Sequence, residues 1–174
     1  MSNRISSSVI NSFPPIIGDN PHTLILGSMP GRASLEAQQY YAWPQNAFWP
    51  IMAGIFEFDE NLDYSLRLQV LASNGILLWD VLQQCERGGS SLDSAIDPLT
   101  EIPNDIPQLL SVHSTLHTLC FNGGKAWNSF RRHLLAQIGN ADGYQFHQLP
   151  STSPANARMS YVQKYAAWRE AIKP

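Results

Sequence analysis

The chain is short of charge, cysteine, lysine and long apolar runs, and each shortage removes a class of protein. Charged residues make up 14% of the 174, and the formal net charge is −3. A protein that coats nucleic acid over its whole surface carries the opposite balance, so any contact with such a polymer must be local. The 2 cysteines, Cys85 and Cys120, form no C-x-x-C pair. That excludes an iron–sulfur cluster held by four thiolates. The 5 histidines show no ligand spacing, so no metal and no cofactor are expected. The lysines are Lys125, Lys164 and Lys173, which leaves few candidates for a Schiff-base nucleophile. No segment approaches transmembrane length, and the opening MSNRISSSVINSF lacks the apolar run of a signal peptide. The expectation is a cytoplasmic protein without membrane contact, its thiols free and buried.

What is present is a globular balance. Hydrophobic residues reach 44%, and the length suits one domain over 1–174 that buries its own core. Runs rich in β-branched and apolar residues read as strands at 23–27, 75–79, 116–121 and 144–149. The first three are nearly continuous in hydrophobicity, as buried parallel strands are, and the fourth alternates, as an edge strand does. Helical periodicity lies between them, over 46–56, 61–72, 104–112, 125–138 and 157–172. In the first of these helices Phe48, Ile51, Met52 and Ile55 share one face. The turn-rich segment 86–100 reads as a long ordered loop. Strands alternating with helices predict a parallel sheet covered on both faces. Ligands of such sheets bind beyond the carboxyl ends of the strands, which selects the loops 27–46, 80–97, 122–125 and 150–158.

The first loop opens with Gly27-Ser28-Met29-Pro30-Gly31 and continues through Tyr40, Tyr41, Trp43, Asn46, Phe48 and Trp49. That is a dense set of aromatics for surface-facing chain, and nucleobases stack on such faces. Asn46 stands where an N-cap belongs, and an amide also offers both donor and acceptor to a base edge. Asp80 sits at a strand tip, a functional candidate first and a helix cap a close second. Phe121-Asn122-Gly123-Gly124-Lys125 lacks the spacing of a phosphate loop, so nucleoside triphosphate binding is rejected. It still joins a strand to a helix N-terminus, with Asn122 at the junction. The fourth loop, Pro150 to Asn156, is stiffened by proline and carries hydroxyl donors suited to phosphate oxygens. Arg131, Arg132, Arg158, Lys164 and Arg169 crowd the last third of the chain.

Taken together the loops resemble the uracil-DNA glycosylase superfamily, from about residue 22 to about residue 170. Gly27–Gly31 resembles its first motif and Pro150-Ser151-Thr152-Ser153-Pro154 its second. Trp43-Pro44-Gln45-Asn46-Ala47-Phe48-Trp49 is similar to the His-Pro-x-Asn-x-Phe-Trp of the mismatch-specific uracil/thymine enzymes. G-S-M-P-G, Q-Q-Y-Y-A, Phe-Asn-Gly and L-P-S-T-S-P-A together look like the hypoxanthine-DNA (deoxyinosine) glycosylase branch. The resemblance implies a three-layer α/β/α sandwich with a central four-stranded parallel twisted sheet. It implies a monomeric, monofunctional enzyme that flips a deaminated base, hypoxanthine before uracil, out of DNA and hydrolyses its N-glycosidic bond.

It also implies roles. Asn46 and Asn122 are the catalytic residues, Asn46 positioning water and Asn122 bonding the base edge. Gly27, Ser28, Met29, Tyr41, Phe48 and Asp80 form the base pocket, with Tyr41 or Phe48 stacking on the purine. Pro150, Ser151, Thr152, Ser153 and Arg158 meet DNA. Met29 stands where other members carry an Asp or Asn that orients water, and a thioether cannot polarise water. Two other readings stay open: a glycosylase for uracil or thymine opposite guanine, and a nucleic-acid-binding module without catalysis.

Overall fold

The computed structural model describes residues 8–172. Four parallel strands form the central sheet, β2 (Thr23–Gly27), β3 (Ile76–Asp80), β6 (Thr118–Asn122) and β7 (Gln145–Leu149), in the order β3-β2-β6-β7. Their side chains alternate between two cores. Leu24, Leu26, Leu77, Leu119 and Phe121 face one, with Ile106, Leu109 and Leu110 of α4 (Ile106–Val112) and Ala126 and Phe130 of α5 (Gly124–His133). Ile25, Ile76, Leu78 and Cys120 face the other. They meet α2 (Phe48–Phe56), α3 (Tyr64–Ser73) and α6 (Tyr161–Ile172) through Phe48, Ile51, Met52, Leu71, Trp168 and Ile172. A strand buried on both faces needs apolar residues at every position. β2, flanked by two strands, is buried along its whole length. The expected three-layer sandwich is therefore present. β7 lies at the sheet edge with a half-exposed pattern, as its alternation predicts.

The central strands sit close to their expected places. The second starts at Ile76 rather than 75, because Gly75 turns with φ +68° ahead of it. Asp80 is thus the last strand residue. A second sheet was not expected. β4 (Leu82–Arg87) pairs antiparallel with β1 (Ser8–Asn11) on one side and β5 (Ile102–Pro103) on the other. The segment 86–100 is accordingly not one loop. It begins as the end of β4 and contains two 3₁₀ turns, Asp93–Ala95 and Pro98–Thr100. The last helix starts at Tyr161, four residues later than expected. The helix expected over 125–138 is α5 followed by the 3₁₀ turn Leu135–Gln137. The remaining helix, α1 (Arg32–Ala37), is a short one inside the first loop.

Glu101 is buried beneath α5 and gathers Lys125, Arg132 and His133. Burial alone would push its carboxyl up. Hydrogen bonds from Lys125 and His133 outweigh that and hold it below its ordinary value. Lys125 is thus spent on the fold and is not free to act as a phosphate-binding lysine. Both cysteines are buried free thiols. Among the described residues, no helix is long and apolar enough to cross a membrane, and no cluster of side chains is arranged to hold a metal.

Candidate active site

A parallel sheet brings the carboxyl ends of all its strands to one edge, so the loops that follow them share one space. Here they enclose a cleft of about 820 Å³, lined from all four expected loops. The first contributes Gly27 to Arg32, Tyr40, Tyr41, Trp43 and Asn46, the second Asp80, the third Asn122 and the fourth Ser151 to Asn156. The second also contributes Ser91–Ser94, from the segment whose role the sequence left open.

Asn122 ends β6 and is 7% exposed. Its amide grips Thr152 at both ends. Nδ2 donates to Thr152 Oγ1 at 2.9 Å, and Oδ1 accepts from Thr152 N at 2.9 Å. One N–H and one acceptor lone pair remain for a ligand. Gly123 makes the grip possible. Its φ of +94° disfavours other residues, and a Cβ there would come within 2.9 Å of Ser151 Cβ. The fourth loop is further tied to α2, because Ala47 N donates to the Thr152 carbonyl at 3.0 Å. Lys164 Nζ donates to the Ser153 carbonyl and Trp168 Nε1 to that of Pro150. Thr152 is buried, Ser151 and Ser153 line the cleft, and Pro150 is not part of the lining. Arg158 is exposed and lies beyond the cleft lining.

Asn46 lies at the mouth, half-buried, one residue before Ala47, which takes the N-cap position of α2. Its Oδ1 accepts from Phe48 N at 3.0 Å, a cap on the first turn of α2, while the residue still lines the cleft. Phe48 itself is fully buried and outside the lining, so it does not present a face to a ligand. Tyr41 does. It stacks on Phe48 with centroids 3.9 Å apart at 20°, and its φ of +55° is the left-handed conformation unusual for a bulky residue. The Tyr41 hydroxyl is buried without a hydrogen-bond partner, close to Asn122 but outside bonding geometry. Burial, then the charge of Asp80, pushes it far above its ordinary pKa. Met29 is 6% exposed and packs into the core cluster under the cleft floor, which accounts for a thioether at that position.

The electrostatics of the site centre on two acids. Gly27 pairs with Asp80 across β2 and β3, and a Cβ on Gly27 would collide with Asp80 Oδ1. The glycine leaves the carboxyl room to lie across the strand ends. Asp80 is 3% exposed and its Oδ2 has no partner. Burial first, and Asp93 second, raise its pKa to about 8. Asp93 was not expected here. The 3₁₀ turn swings it to the cleft, where Ser28 Oγ donates to Oδ1 at 2.5 Å. Its pKa is raised by burial and pulled back by Ser28, Lys125 and Arg87. Arg87 Nη1 donates to the Pro30 carbonyl at 2.9 Å, fixing the first-motif turn from beneath.

A ring of amides, hydroxyls, one open aromatic face and a buried acid pair in a cleft of this size suits a planar, hydrogen-bonding heterocycle. The chain belongs to the uracil DNA glycosylase superfamily, whose pattern it matches over residues 14–173. It is similar to a hypoxanthine DNA glycosylase of Methanosarcina barkeri, 36% identical over 92% of this chain and 96% of that one. It is also similar to a hypoxanthine DNA glycosylase of Methanosarcina acetivorans, 38% identical over 85% and 89%. A solution NMR structure from Methanosarcina acetivorans, described as a "putative Uracil DNA glycosylase", superposes with a TM-score of 0.80 at 34% identity, covering 95% of this chain and 98% of that one.

Proposed function

We propose that this protein is a monofunctional DNA glycosylase that flips hypoxanthine out of DNA and hydrolyses its N-glycosidic bond, leaving an abasic site. The observation that carries the reading is the convergence of Asn46, Tyr41, Asp80 and Asn122 on one cleft at the mouths of the four parallel strands. The names of two relatives alike over most of this chain support the choice of base.

Breaking the bond from C1′ to the base builds positive charge on the sugar and negative charge on the departing base. Groups fixed in advance around both lower the barrier. Extruding the base costs a few kcal/mol, least at a mismatch. Tyr41, propped by Phe48, supplies the stacking face. Asn122 bonds the base edge with the N–H and lone pair that Thr152 leaves over. Asn46 holds the water by accepting its O–H on the Oδ1 lone pair that Phe48 N leaves over, so the water keeps a lone pair for C1′. Ser151 and Ser153 contact phosphates, and Arg158 reaches the strand from outside the cleft. Hydrolysis by water, rather than by an amine, fits the two lysines among the described residues, Lys173 lying outside them. Lys125 is bound to Glu101, and Lys164 to the Ser153 carbonyl.

The test is a strand-cleavage assay on labelled duplexes holding one hypoxanthine, one uracil or one mismatched thymine, developed with hot alkali. Cleavage at hypoxanthine ahead of the pyrimidines is expected. Cleavage only at uracil or thymine refutes the choice of base. Absence of cleavage at all three, with DNA still bound, refutes the enzyme.

A further inference from the structure

The mechanism above leaves the acid pair unused. Building on that reading, we infer that Asp80 serves as a neutral carboxylic acid that reads the lactam edge of the flipped base, its O–H donating to the base carbonyl. Hypoxanthine presents that edge as N1–H beside C6=O. A carboxylate cannot bond that carbonyl, since it has no proton to donate and would set acceptor against acceptor. A charged Asp80 would also oppose the negative charge that grows on the base as the bond breaks. A neutral acid does the reverse. Its hydrogen bond to the carbonyl strengthens as that charge develops, so it favours the transition state over the bound substrate.

The geometry supports the neutral form. Asp80 is almost wholly buried, and Oδ2 is sealed from solvent without a partner. β2 gives it only the bare Gly27, β6 the amide Asn122, and the first loop the neutral hydroxyls of Tyr40 and Tyr41. Behind it Asn104 Nδ2 binds the Asp80 main-chain carbonyl, not the carboxyl. Among the described residues no cation pairs with it, the salt bridges being those of Glu101. Asp93 is the one charge turned toward it, and that charge repels a second. The two acids are also treated differently. Asp93 accepts from Ser28 and feels Lys125 and Arg87, all of which favour its ionised form. Burial raises Asp93 as well, but these partners pull it back and Asp80 has none, so Asp80 is the acid that holds its proton more firmly, as expected of two acids in unlike surroundings.

The test compares Asp80→Asn with Asp80→Ala and wild type on a hypoxanthine duplex across pH. Asparagine keeps a neutral donor and acceptor at the same place. Asp80→Asn is expected to retain excision within about tenfold at pH 7, whereas Asp80→Ala loses about 10²-fold or more. The wild-type rate falls as pH rises through about 8, and Asp80→Asn lacks that limb. Asp93→Asn, which removes the repelling charge, moves the limb to lower pH. An Asp80→Asn enzyme as inactive as Asp80→Ala, or one with the wild-type alkaline limb, overturns the inference. Carbon NMR titration of the Asp80 carboxyl in the DNA-free protein tests the acid without substrate. A midpoint near 8 is expected, and an ordinary midpoint near ~4 overturns it. A wild-type protein that releases no base while Asp80 still titrates high would locate the failure in the reaction, not in the acid.

Discussion

If Asp80 is buried with its proton on, replacing it by asparagine should stabilise the fold, and by an amount that depends on pH. An unfolded Asp80 ionises near its ordinary 3.8, whereas in the fold it holds its proton to about 8. Between those values unfolding releases a proton, so this one group lowers stability as pH rises. Below 3.8 both states are protonated and the penalty is absent. Above 8 both are ionised and the penalty is constant. Each pH unit inside the window is worth about 1.4 kcal/mol, so the full penalty at pH 7 is about 4 kcal/mol, an upper figure because burial that relaxes reduces it. Asp80→Asn has no proton to release. Urea unfolding of both proteins at pH 5 and pH 7 isolates the group, since every other titrating residue is shared. The stability gap in favour of the variant should widen by about 2–3 kcal/mol between those two pH values. Parallel pH dependences, or a variant less stable by the same amount at both, would refute the argument that Asp80 is folded in its neutral form.

Further outcomes follow from the same site. Asn46→Ala should lose about 10²–10³-fold in excision but only about 1 kcal/mol of stability, the worth of its bond to Phe48 N, as read by kinetics and urea unfolding. Gly27→Ala should abolish excision while leaving a folded protein by circular dichroism, because the new Cβ displaces the Asp80 carboxyl and comes within 3.2 Å of the Tyr41 hydroxyl. A double-mutant cycle on Asn122→Ala and Thr152→Val should show coupling of about 1–2 kcal/mol, since each residue satisfies the other. Borohydride should trap no covalent complex with hypoxanthine DNA, given where Lys125 and Lys164 are bound.

Much of this arrangement was legible in the sequence because buried parallel strands leave a plain signal. TLILG, ILLW and TLCF are continuous apolar runs, and the strand-end rule then selects the four loops that line the cleft. The second sheet left no such signal. β4 reads LQQCER, with only Leu82, Cys85 and Arg87 buried, β1 is nearly all exposed, and β5 spans two residues. Their pairing is settled by contacts distant in sequence. Asp93 was missed for the same reason. Its turn-rich surroundings, Gly88 to Ser94, show no periodicity, and its partner Ser28 lies 65 residues away. Phe48 carried two expectations that conflict. Its place beside Ile51 and Met52 on one helix face put it in the core, its motif put it against a base, and packing decided for the core. Tyr41 took the open face, held there by a left-handed backbone that residue type alone does not announce.

The central claim is the release of a free base. Wild-type protein and Asn46→Ala, matched in stability by choice of temperature, would be incubated with a duplex containing a single deoxyinosine, and the supernatant resolved by chromatography. Free hypoxanthine appearing in step with abasic sites for wild type, and about 10²-fold more slowly for the variant, is the expected result. Wild-type protein that binds the duplex and frees no hypoxanthine would contradict the account.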